Sequence, residues 1–165
     1  FRLQKWAGAE QSFQQTVLLD PVDAKALLRL ALSQNNQDHF EQVCKTLKTF
    51  VVLQPAHSKA RLLLANANFN CGRYHAASSQ YAKAAELYEQ EGNQEAEMEA
   101  SLGHALSLSK VSKPSEASLS TAAAAFSHAI KLATKNGSTE NQQPVHVGHH
   151  LLHEVHQMYG ELLLE

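Results

Sequence analysis

Four residues spaced by 3, 4 and 3 positions return along this chain at a fixed interval, and that return constrains the fold more than any single residue. The quartets are Trp6, Ala9, Phe13, Thr16; Phe40, Val43, Leu47, Phe50; Tyr74, Ala77, Tyr81, Ala84; and Leu119, Ala122, Phe126, Ala129. The first three begin 34 positions apart and the fourth begins 45 after the third, which is 34 with 11 inserted. Steps of 3 and 4 place each quartet on one stripe of an α-helix. A unit recurring at this interval predicts an all-α helix-turn-helix solenoid, in which each unit buries its apolar face by stacking on its neighbours.

Punctuation repeats with the quartets. Pro21 lies 15 positions after Trp6 and Pro55 lies 15 after Phe40, and proline cannot continue a helix interior. Asp23 and Ser58 read as N-caps of the helices that follow, and Gly72 as the positive-φ residue ending another. The pattern predicts helices over about 3–19, 23–36, 38–53, 58–71, 73–90, 94–110, 116–135 and 146–165. Short turns make successive helices antiparallel neighbours. Residues 107–121 are serine-rich and include Lys113-Pro114, an ordinary loop composition that also suits regulation by phosphorylation. Residues 135–144, KNGSTENQQP, form the most loop-like stretch.

An apolar share of 44% in 165 residues suits a folded domain with a continuous core. Only 18% of residues are charged and the formal charge is -2, without the basic excess of a dedicated nucleic-acid binder. The expectation is therefore no nucleic-acid partner. No apolar run reaches the length needed to cross a bilayer and no signal peptide opens the sequence. Cys44 and Cys71 have neither CxxC spacing nor companions for a zinc site and read as two small buried thiols inside helices. That usage fits a reducing compartment, cytoplasmic or nuclear. Phe1 falls inside a unit and the last helix has no stop signal, so the sequence reads as an excerpt of a longer array.

These residues resemble the tetratricopeptide repeat over roughly positions 1–135. Residues 58–91 carry Leu64-Ala65, Gly72, Tyr74, Ala77, Tyr81 and Ala84 at that family's positions, with Glu89 where the family favours proline. Residues 24–57 match through Leu27, Leu30-Ala31, Val43, Leu47, Phe50 and Pro55. The expanded unit matches through Leu102-Gly103, Ala122, Phe126 and Ala129. The resemblance implies a right-handed α-solenoid of antiparallel helix pairs, divided as a partial repeat at 1–23, repeats at 24–57 and 58–91, an expanded repeat at 92–135, a linker at 136–145 and a truncated first helix at 146–165. The competing readings are a generic helical bundle and a pentatricopeptide RNA-binding array, whose small-residue and proline pattern differs.

The resemblance also implies a concave groove, lined by the first helix of each unit, that holds a partner's extended peptide or helix. Its offsets fall on Lys25, Leu28, Leu32 and Asn35, on Lys59, Leu62, Asn66, Phe69 and Asn70, and on His104 and Leu108. Asparagines can pair with a peptide backbone, Leu and Phe offer apolar pockets, and the two lysines suit an acidic ligand. The same leucines equally suit packing inside the superhelix. Leu28 and Leu32 stand where a chaperone-tail carboxylate clamp needs polar groups, so that clamp is incomplete. The remaining quartet residues, Trp6, Ala9 and Phe13 among them, are expected to form the core.

His146, His149, His150, His153 and His156 crowd one expected helix, with 146/150 and 149/153 in the spacing that can weakly hold a divalent metal. His153-Glu154-Val155-His156 lacks one residue of the zinc-hydrolase HExxH motif. No phosphate loop, nucleophile elbow or tuned carboxylate pair emerges, so neither an enzyme nor a cofactor is expected. The leading expectation is a protein-interaction scaffold. The alternatives are an architectural or self-associating segment and, third, a metal-binding helical domain.

Overall fold

The structure, a computed structural model, describes residues 2–111 and 115–137. The expected helix at 146–165 with its five histidines, most of the 136–145 linker, and Lys113-Pro114 lie outside the described residues. Seven helices account for almost all of the described chain: α1 (Arg2–Leu19), α2 (Ala24–Asn35), α3 (Phe40–Leu53), α4 (Ser58–Asn70), α5 (Tyr74–Glu91), α6 (Gln94–Ser109) and α7 (Glu116–Gly137).

Local chemistry explains where they begin and end. The Asp23 carboxylate accepts from the amides of Lys25 at 2.8 Å and Ala26 at 3.1 Å, satisfying first-turn donors of α2. At α4 the expected cap, Ser58, is instead the first helical residue, and His57 caps through Nδ1, which accepts from the Ala60 amide at 3.1 Å. The His57 ring is held edge-on to Phe50, 5.2 Å between centroids. Ser58 itself is buried, at 5% exposure. Gly72 and Gly92 take φ of 71° and 69° and close α4 and α5. Asp38, 34 positions before Gly72, takes the same left-handed conformation at φ 59°, which costs a side chain energy that glycine avoids.

Each helix packs mainly against its neighbours in sequence, and α4 also touches α6. That extra contact brings the first helices of successive hairpins together, as a solenoid requires and a closed bundle does not. The core is correspondingly a chain of clusters. Leu27, Val43, Leu47, Phe50 and Leu64 join α2, α3 and α4. Ala65, Ala77 and Tyr81 join α4 to α5. Ala84, Tyr88 and Ala100 join α5 to α6, and Leu102, Ala105, Phe126 and Ala129 join α6 to α7. The quartet residues of α3, α5 and α7 supply much of this spine, with Val43, Leu47, Ala77, Ala84, Ala122 and Phe126 fully buried. In α1, Trp6, Ala9 and Phe13 are half-buried and Thr16 is exposed. The fold is an all-α solenoid of packed helix pairs, and no helix among the described residues is long and apolar enough to cross a membrane.

Candidate functional site

The meeting of α4 and α6 is organised around Tyr81, which reaches both from α5. Tyr81 is buried, and its hydroxyl donates to Asn66 Oδ1 on α4 at 2.5 Å. Burial, with the Glu99 carboxylate adding, pushes the phenol up to about 12, so it remains a donor at neutral pH. On the other side the ring lies against Gly103 of α6, where any Cβ would stand under 3.0 Å from three ring carbons. A glycine in mid-helix is therefore required by close approach.

One turn along, His104 Nδ1 lies 3.0 Å from both the Ser78 carbonyl oxygen and the Ser78 hydroxyl. A carbonyl only accepts, so the ring's proton sits on Nδ1 and the neutral ring keeps Nε2 as an acceptor. Burial holds His104 below the usual histidine range, with the Ser78 backbone bond opposing that shift. Glu97, buried at 6% exposure, meets His128 Nε2 at 2.7 Å and ties α6 to α7.

The expected groove residues divide by what they already do. Lys25 and Lys59 are exposed, at equivalent places 34 apart in the first turns of α2 and α4. Leu32 is 42% exposed. Leu28 packs on the α2–α4 cluster, and Leu62 touches two successive clusters. Phe69 stands edge-on to Tyr74 at 5.3 Å. Asn35 is half-buried, while Asn70 is exposed and donates its amide to the Asn66 carbonyl at 2.9 Å. Leu108 is buried, which makes it a packing residue. Asn66 is engaged by Tyr81, so its side-chain Oδ1 holds α4 to α5 before it can meet a ligand.

Charge differs among the first turns of α2, α4 and α6. Lys59 reinforces the positive end of α4, whose first turn has no acidic residue, whereas at α2 the Asp23 carboxylate that caps the helix offsets Lys25. The first turn of α6 carries Glu95 and Glu97. Nearby, the Glu99 carboxyl is pushed up by partial burial and then by the charge of Glu95. Among the described residues no three His, Cys, Asp or Glu side chains converge as a metal site would need.

Two buried amides escaped sequence reasoning. Gln34 and Asn68 stand 34 apart, buried at 3% and 2% exposure. Gln34 Oε1 accepts from Thr46 at 2.9 Å. Asn68 donates to the Leu64 carbonyl at 2.8 Å, but its Oδ1 has no partner. Their shared register was the available signal.

No protein-family model matches the chain, and no curated protein matches it. Solved structures do. The chain is similar to a crystal structure of MamA, with a TM-score of 0.66 and 20% identity over 96% of this chain and 86% of that one. A structure of MamA from residue 41 to the end, from Desulfovibrio magneticus RS-1, gives 0.65 and 18% over 85% and 71%. BtubC from P. vanneervenii gives 0.60 and 13% over 97% and 63%. These are helical-repeat proteins of tetratricopeptide type, and at such identities the likeness establishes the fold.

Proposed function

We propose that this tetratricopeptide-like solenoid is a non-enzymatic protein-interaction scaffold, which docks a partner's extended peptide or helix across the face of α2, α4 and α6 within a larger assembly. The observation that carries this reading is the repeated placement of Lys25 and Lys59, both exposed in the first turns of their helices, with the partly exposed Leu32. An acidic segment with apolar side chains fits that combination. The helices hold these groups in place before a ligand arrives, which lowers the ordering cost of association. In this reading residues 24–57, 58–91 and 92–135 act as successive repeats, and Asn35, Asn70 and His104 Nε2 supply polar contacts. Asn66, Leu62, Phe69 and Leu108 support the face from behind.

The test is fluorescence anisotropy with labelled acidic, neutral and basic amphipathic peptides. Acidic peptides should bind best, and a Lys25→Glu, Lys59→Glu variant should weaken them about tenfold or more. Equal binding by variant and wild type, with helicity unchanged, overturns this placement of the groove.

Exposed apolar side chains favour a second reading, self-association. Leu18 and Val52, at 77% and 78% exposure, occupy equivalent places 34 apart near the ends of α1 and α3, with Leu19 beside them at 89%. Light scattering separates the readings: a dimer lost in Leu18→Ser, Val52→Ser favours self-association, and a monomer at all concentrations rejects it.

A further inference from the structure

Cys44 belongs to α3, and Cys71 sits in the turn that closes α4. Cys44 is a buried member of the cluster that joins α2, α3 and α4, and Cys71 packs against the same cluster, near enough that each thiol perturbs the other's ionisation. Their exposure is unequal. Cys44 is 1% exposed, whereas Cys71 is half-buried and lines a shallow surface cleft with Asp38, Phe40 and Glu41. The Glu41 carboxylate accepts from Arg73 at 2.5 Å and lines the same cleft as Cys71. A reagent arriving from solvent therefore meets Cys71 first, with Cys44 behind it.

We propose that Cys44 and Cys71 are a closable pair, a site at which small-molecule disulfides oxidise the protein and join α3 covalently to the end of α4. In the first step the Cys71 proton passes to solvent and its thiolate attacks one sulfur of the reagent, forming a mixed disulfide while the other half leaves as thiolate. In the second step the Cys44 thiolate attacks the Cys71 sulfur, forming the Cys44–Cys71 bond and releasing the second half. Two protein thiols lose two electrons and two protons, and one reagent disulfide becomes two thiols.

Packing into one cluster brings together two cysteines 27 apart in sequence, the approach that a disulfide requires. The surroundings set the rate. Burial, then the neighbouring Cys44, then Glu41 push the Cys71 thiol up to about 11. Because the thiolate is the nucleophile, closure is slow at neutral pH and accelerates as pH rises. Burial also pushes Cys44 up, while Arg73 favours its thiolate once the mixed disulfide has formed. The pair thus stays reduced through brief exposure and closes under sustained oxidation.

The experiment incubates the chain with oxidised glutathione at mildly alkaline pH and follows intact mass together with free thiols counted after denaturation. Wild type should lose both thiols and two hydrogens, retaining no glutathione and forming no covalent dimer. Cys44→Ser should keep one glutathione on Cys71, Cys71→Ser should stay unmodified while folded, and Glu41→Gln should close several-fold faster. The wild-type reading needs no variant to fold. Stable glutathione adducts on wild type, covalent dimers, or two free thiols after prolonged exposure would each overturn the pairing.

Discussion

The aromatic ring of Tyr81 lies against the backbone of Gly103, while its hydroxyl is anchored to Asn66. One side chain from α5 thereby sets the spacing of α4 and α6, the two first helices that touch across a hairpin. The packing of α4 against α6 depends on this wedge, and Tyr81 itself is buried.

Gly103→Ala should destabilise the fold by about 1–2 kcal/mol, because overpacking against Tyr81 outweighs the roughly 1 kcal/mol gained in helix propensity. Tyr81→Phe should cost about 0.5–1.5 kcal/mol, the worth of one hydrogen bond. Tyr81→Ala should cost about 3–5 kcal/mol through lost burial and a cavity. Urea denaturation orders the three, and a neutral Gly103→Ala would contradict the close approach.

Acidification should weaken the fold through His104. Burial depresses its folded pKa below the ordinary 6.5, so between those values the unfolded chain binds more protons than the folded one. Its contribution is intact above about 6.5 and is lost as pH falls from there through the folded value. Thermal melts of wild type and His104→Gln across that window should converge toward the acid side. Parallel curves would remove His104 from the account.

Asp38→Gly should raise stability slightly, by about 0.5 kcal/mol, since relief of the left-handed strain exceeds the extra backbone entropy of glycine. Gly72 shows the chain using glycine at the equivalent place. A fall in the thermal midpoint would show that the Asp38 carboxylate contributes more than its backbone costs.

Asn68→Leu should stabilise by about 1 kcal/mol, because it removes a buried acceptor that has no partner and leaves shape nearly unchanged. Chemical denaturation supplies the check. Destabilisation would mean that the amide's bond to the Leu64 carbonyl outweighs the orphaned oxygen.

Helix positions were legible because period and proline are properties of the chain itself: α1 to α7 begin and end within two residues of expectation. The misreadings arise where tertiary contact outvotes local preference. Ser58 is a better cap by type than His57, yet the serine is buried as the first residue of α4 and Phe50 holds the imidazole in place. Cys71 was expected inside a helix and lies in the turn beyond it. Asn66 has the chemistry of a ligand contact, and only packing shows that Tyr81 already uses it. Leu108 follows the groove offset but is buried. Offsets identify a helical stripe, and which part of that stripe neighbours cover depends on residues far away in sequence.

Because helices touch chiefly those beside them in sequence, injury to this protein should remain local. A defect near α2 has few direct routes to α7, so the chain can fray from one end while the other keeps its shape. Parts of the surface can thus be reworked by mutation with little consequence for the remainder, a latitude that a single shared core would deny.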